Sequence, residues 1–91
     1  MSAVYRFVFS KRIRRKAIEE QMALAIKAAE GAYGRGKVRL NAGYAAADGR
    51  AIIDASNRVS ERIAEIFTDL ITEKFGESAF KVDRVPKRNR T

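Results

Sequence analysis

Lys37-Val-Arg-Leu-Asn-Ala-Gly-Tyr-Ala-Ala-Ala-Asp-Gly-Arg-Ala-Ile-Ile-Asp54 is the stretch on which the fold turns. Within it Val38, Leu40, Ala42 and Tyr44 alternate with Lys37, Arg39, Asn41 and Gly43, the period of two expected of a half-buried strand over Lys37 to Ala46. Asp48-Gly49 follows as a hairpin signal of the type I′ kind, which needs positive φ at both central residues. Arg50 to Asp54, with Ile52 and Ile53, then reads as the return strand. The competing assignment runs through Ala45-Ala46-Ala47, good helix formers that would instead join residues 41–55 to a neighbouring helix.

Outward from this stretch the patterns are plainer. Ala3 to Phe9 reads as a strand with Tyr5, Phe7 and Phe9 on one face and Val4, Arg6 and Val8 on the other; apolar groups on both faces suit a central position. Ser10 is placed to cap a helix whose stripe is Ile18, Met22, Ala25 and Ala29, backed by Ala17, Leu24 and Ala28 and stopped at Gly31. Gly31 to Gly36 is then a flexible connection. Beyond the hairpin, Ser56 or Asn57 opens a second helix that buries Val59, Ile63, Ile66, Phe67, Leu70 and Ile71, runs to Phe75 and is closed by Gly76. Ser78 to Val85 is the last strand, with Phe80 and Val82 on one side, Lys81 and Asp83 on the other, and Pro86 at its end.

The order strand, helix, strand, strand, helix, strand predicts one α+β domain over residues 1–85 and a disordered basic tail over 86–91. It suits a four-stranded antiparallel sheet with both helices on one face, the ferredoxin-like arrangement. Arg6, Lys37, Arg39 and Lys81 would then point to the open face and make it basic.

The composition narrows the chemistry. With neither cysteine nor histidine, the chain has no disulfide, no thiolate, and no imidazole for metal binding or proton transfer. No pair of Asp, Glu, Lys or Tyr stands out by spacing, so the expectation is a protein that is not an enzyme and carries no metal or cofactor. Glu61, Glu65, Asp69 and Glu73 recur at steps of four along one helix flank, a solvated edge or a docking surface for a basic partner. The apolar run Ala3 to Phe9 is interrupted by Arg6 and too short for a signal segment or a membrane span, which predicts a cytoplasmic protein with no membrane partner.

Charge is the strongest functional signal. Nineteen basic against eleven acidic side chains give a net charge of +8, and arginine outnumbers lysine by twelve to seven. Excess positive charge favours polyanionic partners, and arginine's planar fork suits phosphate. Lys11, Arg12, Arg14, Arg15 and Lys16 fall in the opening turns expected of the first helix, where they oppose its dipole. A cluster that works against its own helix calls for an external anion, and a row of phosphates is the simplest. Arg6, Arg35, Lys37 and Arg39 form a second candidate patch, and Lys87, Arg88 and Arg90 in the tail could add phosphate contacts.

Three short patterns are set aside on context. Gly31 to Val38 nearly spells a nucleotide-binding P-loop, but Val38 stands where a hydroxyl is required and the expected order is helix to strand. Gly31-Ala-Tyr-Gly34 is a GXXG loop like that of KH domains, yet a strand is expected after it. Val4 to Phe9 resembles the first aromatic motif of RNA-recognition-motif domains, but Arg50 to Asp54 lacks the stacking aromatics of their third strand. The expected function is therefore a non-catalytic protein that engages the phosphate backbone of DNA or RNA. The alternative is a small phage-type inhibitor or adaptor, anti-CRISPR-like, that docks on a host ribonucleoprotein or nucleic-acid enzyme. Self-association into a homodimer stays open beside both.

Overall fold

The computed structural model describes residues 3–10 and 12–86. It is a small α+β domain in which a four-stranded antiparallel sheet carries three helices. The elements are β1 (Ala3–Phe9), α1 (Arg15–Tyr33), α2 (Arg35–Asn41), β2 (Tyr44–Ala47), β3 (Arg50–Asp54), α3 (Arg58–Phe75) and β4 (Phe80–Pro86), with a single 3-10 turn at Glu77–Ala79. The sheet order is β2-β3-β1-β4, so β1 is central, as its two apolar faces required. Ala3 lies opposite Pro86 and Phe9 opposite Phe80, while Val4 faces Asp54 and Val8 faces Arg50.

One face of the sheet makes the core. Phe7, Phe9, Ala51 and Ile53 project from β1 and β3 onto Ile18, Met22, Ala25 and Ala29 of α1 and Val59, Ile63, Phe67 and Ile71 of α3. Phe67 stands edge to face against Phe7 with centroids 5.0 Å apart and also touches Phe9, a geometry the aromatic quadrupole favours. The α3 assignment is matched end for end. Asn57 accepts the Ser60 N–H at 2.8 Å as N-cap, and Gly76, at φ 94°, ends the helix in a conformation that side chains disfavour.

The middle of the chain differs from the expectation. Residues 35–41 form a short helix and not a strand, so the element order gains a helix, and β2 begins only at Tyr44. The alternation of Val38 and Leu40 was a misleading signal, since Val38 is buried in the core while Leu40 is 87% exposed. What holds α2 is Val38 together with its last carbonyl. The Asn41 C=O accepts from Asn57 Nδ2 at 2.9 Å and from Ser60 Oγ at 2.8 Å, which gives the fully buried Ser60 a partner and ties α2 to the start of α3. Gly31 does not stop α1, which runs on to Tyr33 and turns at Gly34, φ 93°. Residues 31–36 are thus mostly helical and not a loop.

The hairpin forms, but of its two turn residues only Gly49 has positive φ, so the turn is not type I′. Ala17 is half-buried and Leu24 and Ala28 are exposed, so the α1 stripe has no second row. The last strand starts at Phe80, two residues later than expected, because residues 77–79 close the 3-10 turn.

The Phe67→Ala substitution removes the ring on which both β1 phenylalanines lean, and it should cost about 3–5 kcal/mol of unfolding free energy. Urea denaturation followed by far-ultraviolet circular dichroism measures this. Leu40→Ala, at an exposed position on α2, should change it by less than about 0.5 kcal/mol.

Candidate functional site

The basic run after β1 precedes α1 more than it belongs to it. The chain turns at Ser10, whose carbonyl accepts the Ile13 N–H at 3.0 Å and whose hydroxyl receives the Arg12 N–H at 3.3 Å. Helix begins only at Arg15, with Arg14 as an N-cap that makes no side-chain bond, so Ser10 does not cap it. Of the five cations placed on the opening turns, Arg15 and Lys16 are there, Arg14 flanks them, Arg12 is in the turn, and Lys11 lies outside the described residues. The conflict with the helix dipole is correspondingly smaller than the sequence implied.

That dipole end already has an anion. Asp48, in the β2–β3 turn, accepts the Arg15 backbone N–H at 2.8 Å from 33 residues away. A carboxylate at this point satisfies an orphan donor and complements the positive helix end. The same contact pins the hairpin tip beside the basic turn. Arg14 and Arg50 consequently line one shallow depression with Ile13, Asp48 and Gly49. Arg50 joins the cluster through register, since it sits opposite Val8 on β1, and Lys81 sits opposite Val8 on the other side. Neither position could be tied to residues 12–16 by sequence spacing; the strand register was the missing information.

The second candidate patch falls at the other end of the sheet. Arg35, Lys37 and Arg39 all lie on α2, next to the start of α3, while the run from Arg12 to Lys16 follows the far end of β1. The two ends of β1 are roughly 20 Å apart, six steps of about 3.3 Å. Lys37 Nζ lies 5.7 Å from the centre of the Tyr33 ring, a cation–π contact. The cations of α2 and those of residues 12–16 therefore lie at two ends and not in one region. Lys87, Arg88 and Arg90 lie outside the described residues.

The uncovered sheet face is not the basic surface expected of it. Lys37 and Arg39 are on α2 and leave the sheet altogether. By register the open face carries Arg6, Arg50 and Lys81 against Asp54 and Asp83, around the exposed Val8 and Ile52. Arg6 approaches Asp83 at 3.9 Å across the strand pair. The face is mixed in charge with an apolar middle.

Arg15 pairs with Glu19 at 3.8 Å and Arg62 with Glu65 at 3.0 Å, and all four side chains are more than half exposed. Such pairs contribute little net energy and are easily exchanged. Among the described residues, Arg12, Arg14, Lys16, Arg35, Lys37, Arg39 and Arg50 make no ion pair. No group of three or more acidic side chains among the described residues is placed to hold a metal ion, and no helix there is long and apolar enough to cross a membrane. Compared with protein-family models, curated proteins and solved structures, the chain matches none.

Asp48→Ala should lower stability by about 1 kcal/mol, the usual worth of a helix-capping side chain, and Asp48→Asn, which keeps an acceptor oxygen, by less. Thermal melts of the two variants beside the parent chain decide whether the hairpin caps α1 in solution.

Proposed function

We propose that this chain is a non-catalytic binding protein that engages the phosphate backbone of nucleic acid through the basic end formed by Arg12, Arg14, Arg15, Lys16 and Arg50. The observation that carries the reading is that four of these five cations have no ion-pair partner within the described residues and are exposed around the β2–β3 hairpin and the start of α1. Lys11, Arg6 and Lys81 lie alongside in sequence or register and extend the positive field; Lys87, Arg88 and Arg90 are kept as auxiliary phosphate contacts. Arg35, Lys37 and Arg39 are then a separate contact surface for the same polyanion or for a second one. Backbone recognition fits better than base stacking, because the open face between the two ends presents Val8 and Ile52 and no aromatic ring.

The fold underneath is proposed to be a variant of the ferredoxin-like arrangement with α2 added before β2. The sheet order β2-β3-β1-β4, with α1 and α3 each connecting strands that flank a third, supports this.

A second reading is favoured by one feature, the exposed acidic flank of Glu61, Glu65, Asp69 and Glu73 on α3 beside two basic ends. Such a divided surface suits an inhibitor or adaptor that docks on a nucleoprotein complex inside the cell. Capture from lysate that survives nuclease treatment would favour it over direct phosphate binding.

The test of the first reading is binding to short DNA and RNA duplexes and single strands over a salt series. The logarithm of affinity should fall linearly with that of salt, by about 0.7–0.9 per phosphate contact. Arg12→Glu with Arg14→Glu should lower that slope by about 2 and weaken binding at low salt on every sequence. Arg58→Glu with Arg62→Glu, on α3, should leave the slope nearly unchanged. Equal effects of the two pairs, or no binding at low salt, would remove the proposal.

A further inference from the structure

Both edges of the sheet are open, but they are unequal. β2 has four residues, and β4 has seven that are exposed or half-buried throughout. The direction of each backbone group on β4 follows from one hydrogen bond. The Ser10 N–H donates to the Ala79 carbonyl at 2.8 Å, immediately outside the pair Phe9 and Phe80. In an antiparallel ladder this makes Phe9 and Phe80 a non-hydrogen-bonded pair, and the pattern alternates from there. Lys81, Asp83 and Val85 therefore turn their N–H and C=O groups toward β1. Phe80, Val82 and Arg84 turn theirs to the free edge, where Pro86 has no N–H to offer.

We propose that β4 is a homodimerisation strand, two copies pairing antiparallel about a two-fold axis through Val82 to make one eight-stranded sheet. This register pairs Phe80, Val82 and Arg84, the three residues of β4 that offer both an N–H and a C=O to the free edge. Val82 meets the partner's Val82, Phe80 meets the partner's Arg84, and Arg84 meets the partner's Phe80, each pair exchanging both hydrogen bonds. Between them Lys81 falls opposite the partner's Asp83, and Asp83 opposite the partner's Lys81, so the open face gains two cross-strand pairs of opposite charge. Neighbouring registers are worse for stated reasons. An axis through Lys81 or through Asp83 sets like charge against like charge, and the latter also spends a pairing position on Pro86. An axis through Arg84 opposes two arginines. Charges and proline on an edge usually discourage pairing; on this edge their signs alternate so that one register satisfies them.

The helix-side face of β4 adds complementarity. Val82 is 39% exposed and lines a shallow groove with Tyr5, Ala64 and Thr68, rimmed by Glu65 and Asp69 of α3. Arg84 lies on this same side of the sheet, being paired with Tyr5. In the dimer the partner's Val82 covers the mouth of the groove, and the partner's Arg84 comes alongside the acidic flank of α3. The axis also sets the basic start of α1 from one copy at the same end of the dimer as α2 from the other.

Sedimentation velocity over a wide concentration series tests this on the full chain, with folding of each variant checked by circular dichroism. The parent chain should show a monomer–dimer equilibrium. Lys81→Asp replaces two opposite-charge pairs by two like-charge pairs and should weaken dimerisation on the order of ten-fold. Adding Asp83→Lys to it restores opposite charges and should recover the parent affinity. In the parent chain, hydrogen exchange at the Val82 and Arg84 amides should slow as concentration rises, while exchange at Lys81 and Asp83 should not respond. A parent chain that stays monomeric at all concentrations overturns the proposal. So does a dimer indifferent to Lys81→Asp, a charge swap that fails to rescue, or amide protection that ignores concentration.

Discussion

Phe67 of α3 rests edge-on against Phe7 and reaches Phe9, and these two residues belong to the one strand that has neighbours on both sides. Because β1 is hydrogen-bonded to β3 and β4 at once, any displacement of its buried face would disturb two ladders as well as the aromatic contact. The helix over Phe67 and the strand under it fix each other. The rest of the core, from Ile18 to Ala29 on α1 and from Val59 to Ile71 on α3, closes around this point. A sheet face committed to packing in this way leaves the chain's cations the open sheet face, the loops and the helix flanks, and the two candidate clusters, residues 12–16 with Arg50 and the cations of α2, lie on opposite sides of this core.

How far the sequence could be read depended on whether the deciding contacts were local. β1 and α3 were legible because a period of two or of 3.6 runs through each, β3 because the Asp48-Gly49 turn precedes the β-branched pair Ile52 and Ile53, and Asn57 and Gly76 mark the ends of α3 with side-chain and backbone chemistry that acts within a turn. α2 was illegible because its seven residues have one buried member, Val38, and a single buried position shows no 3.6-residue period, while Val38 and Leu40, which fall on opposite sides of the helix, mimic strand alternation in the sequence. Its anchor is the Asn41 carbonyl, bonded to side chains sixteen and nineteen residues further on. No periodicity announces such a bond.

The candidate site divides in the same way. That residues 12–16 are a cationic cluster is plain from the chain itself, and the fold keeps Arg12, Arg14 and Arg15 together. That Arg50 belongs with them, and that Lys37 and Arg39 do not lie on the sheet, depends on register and on α2. Asp48 is the instructive residue. As one half of Asp48-Gly49 it signals a turn, and nothing nearby hints that its carboxylate will complete a helix 33 residues upstream. Asp48 spends its carboxylate on the Arg15 backbone N–H, and of the neighbouring arginines only Arg15 has an ion-pair partner among the described residues, Glu19.

The pairing of Ala3 with Pro86 has a kinetic corollary. β1 is the first strand made, yet its second neighbour is the last, so during synthesis one flank of the central strand waits until residue 86 has cleared the ribosome. Contacts of such long sequence separation slow folding, and an unpaired strand flank is where nascent chains associate wrongly. A translation pause before β4 is complete, or a chaperone on the growing chain, would therefore act on the assembly of this sheet more than on its helices.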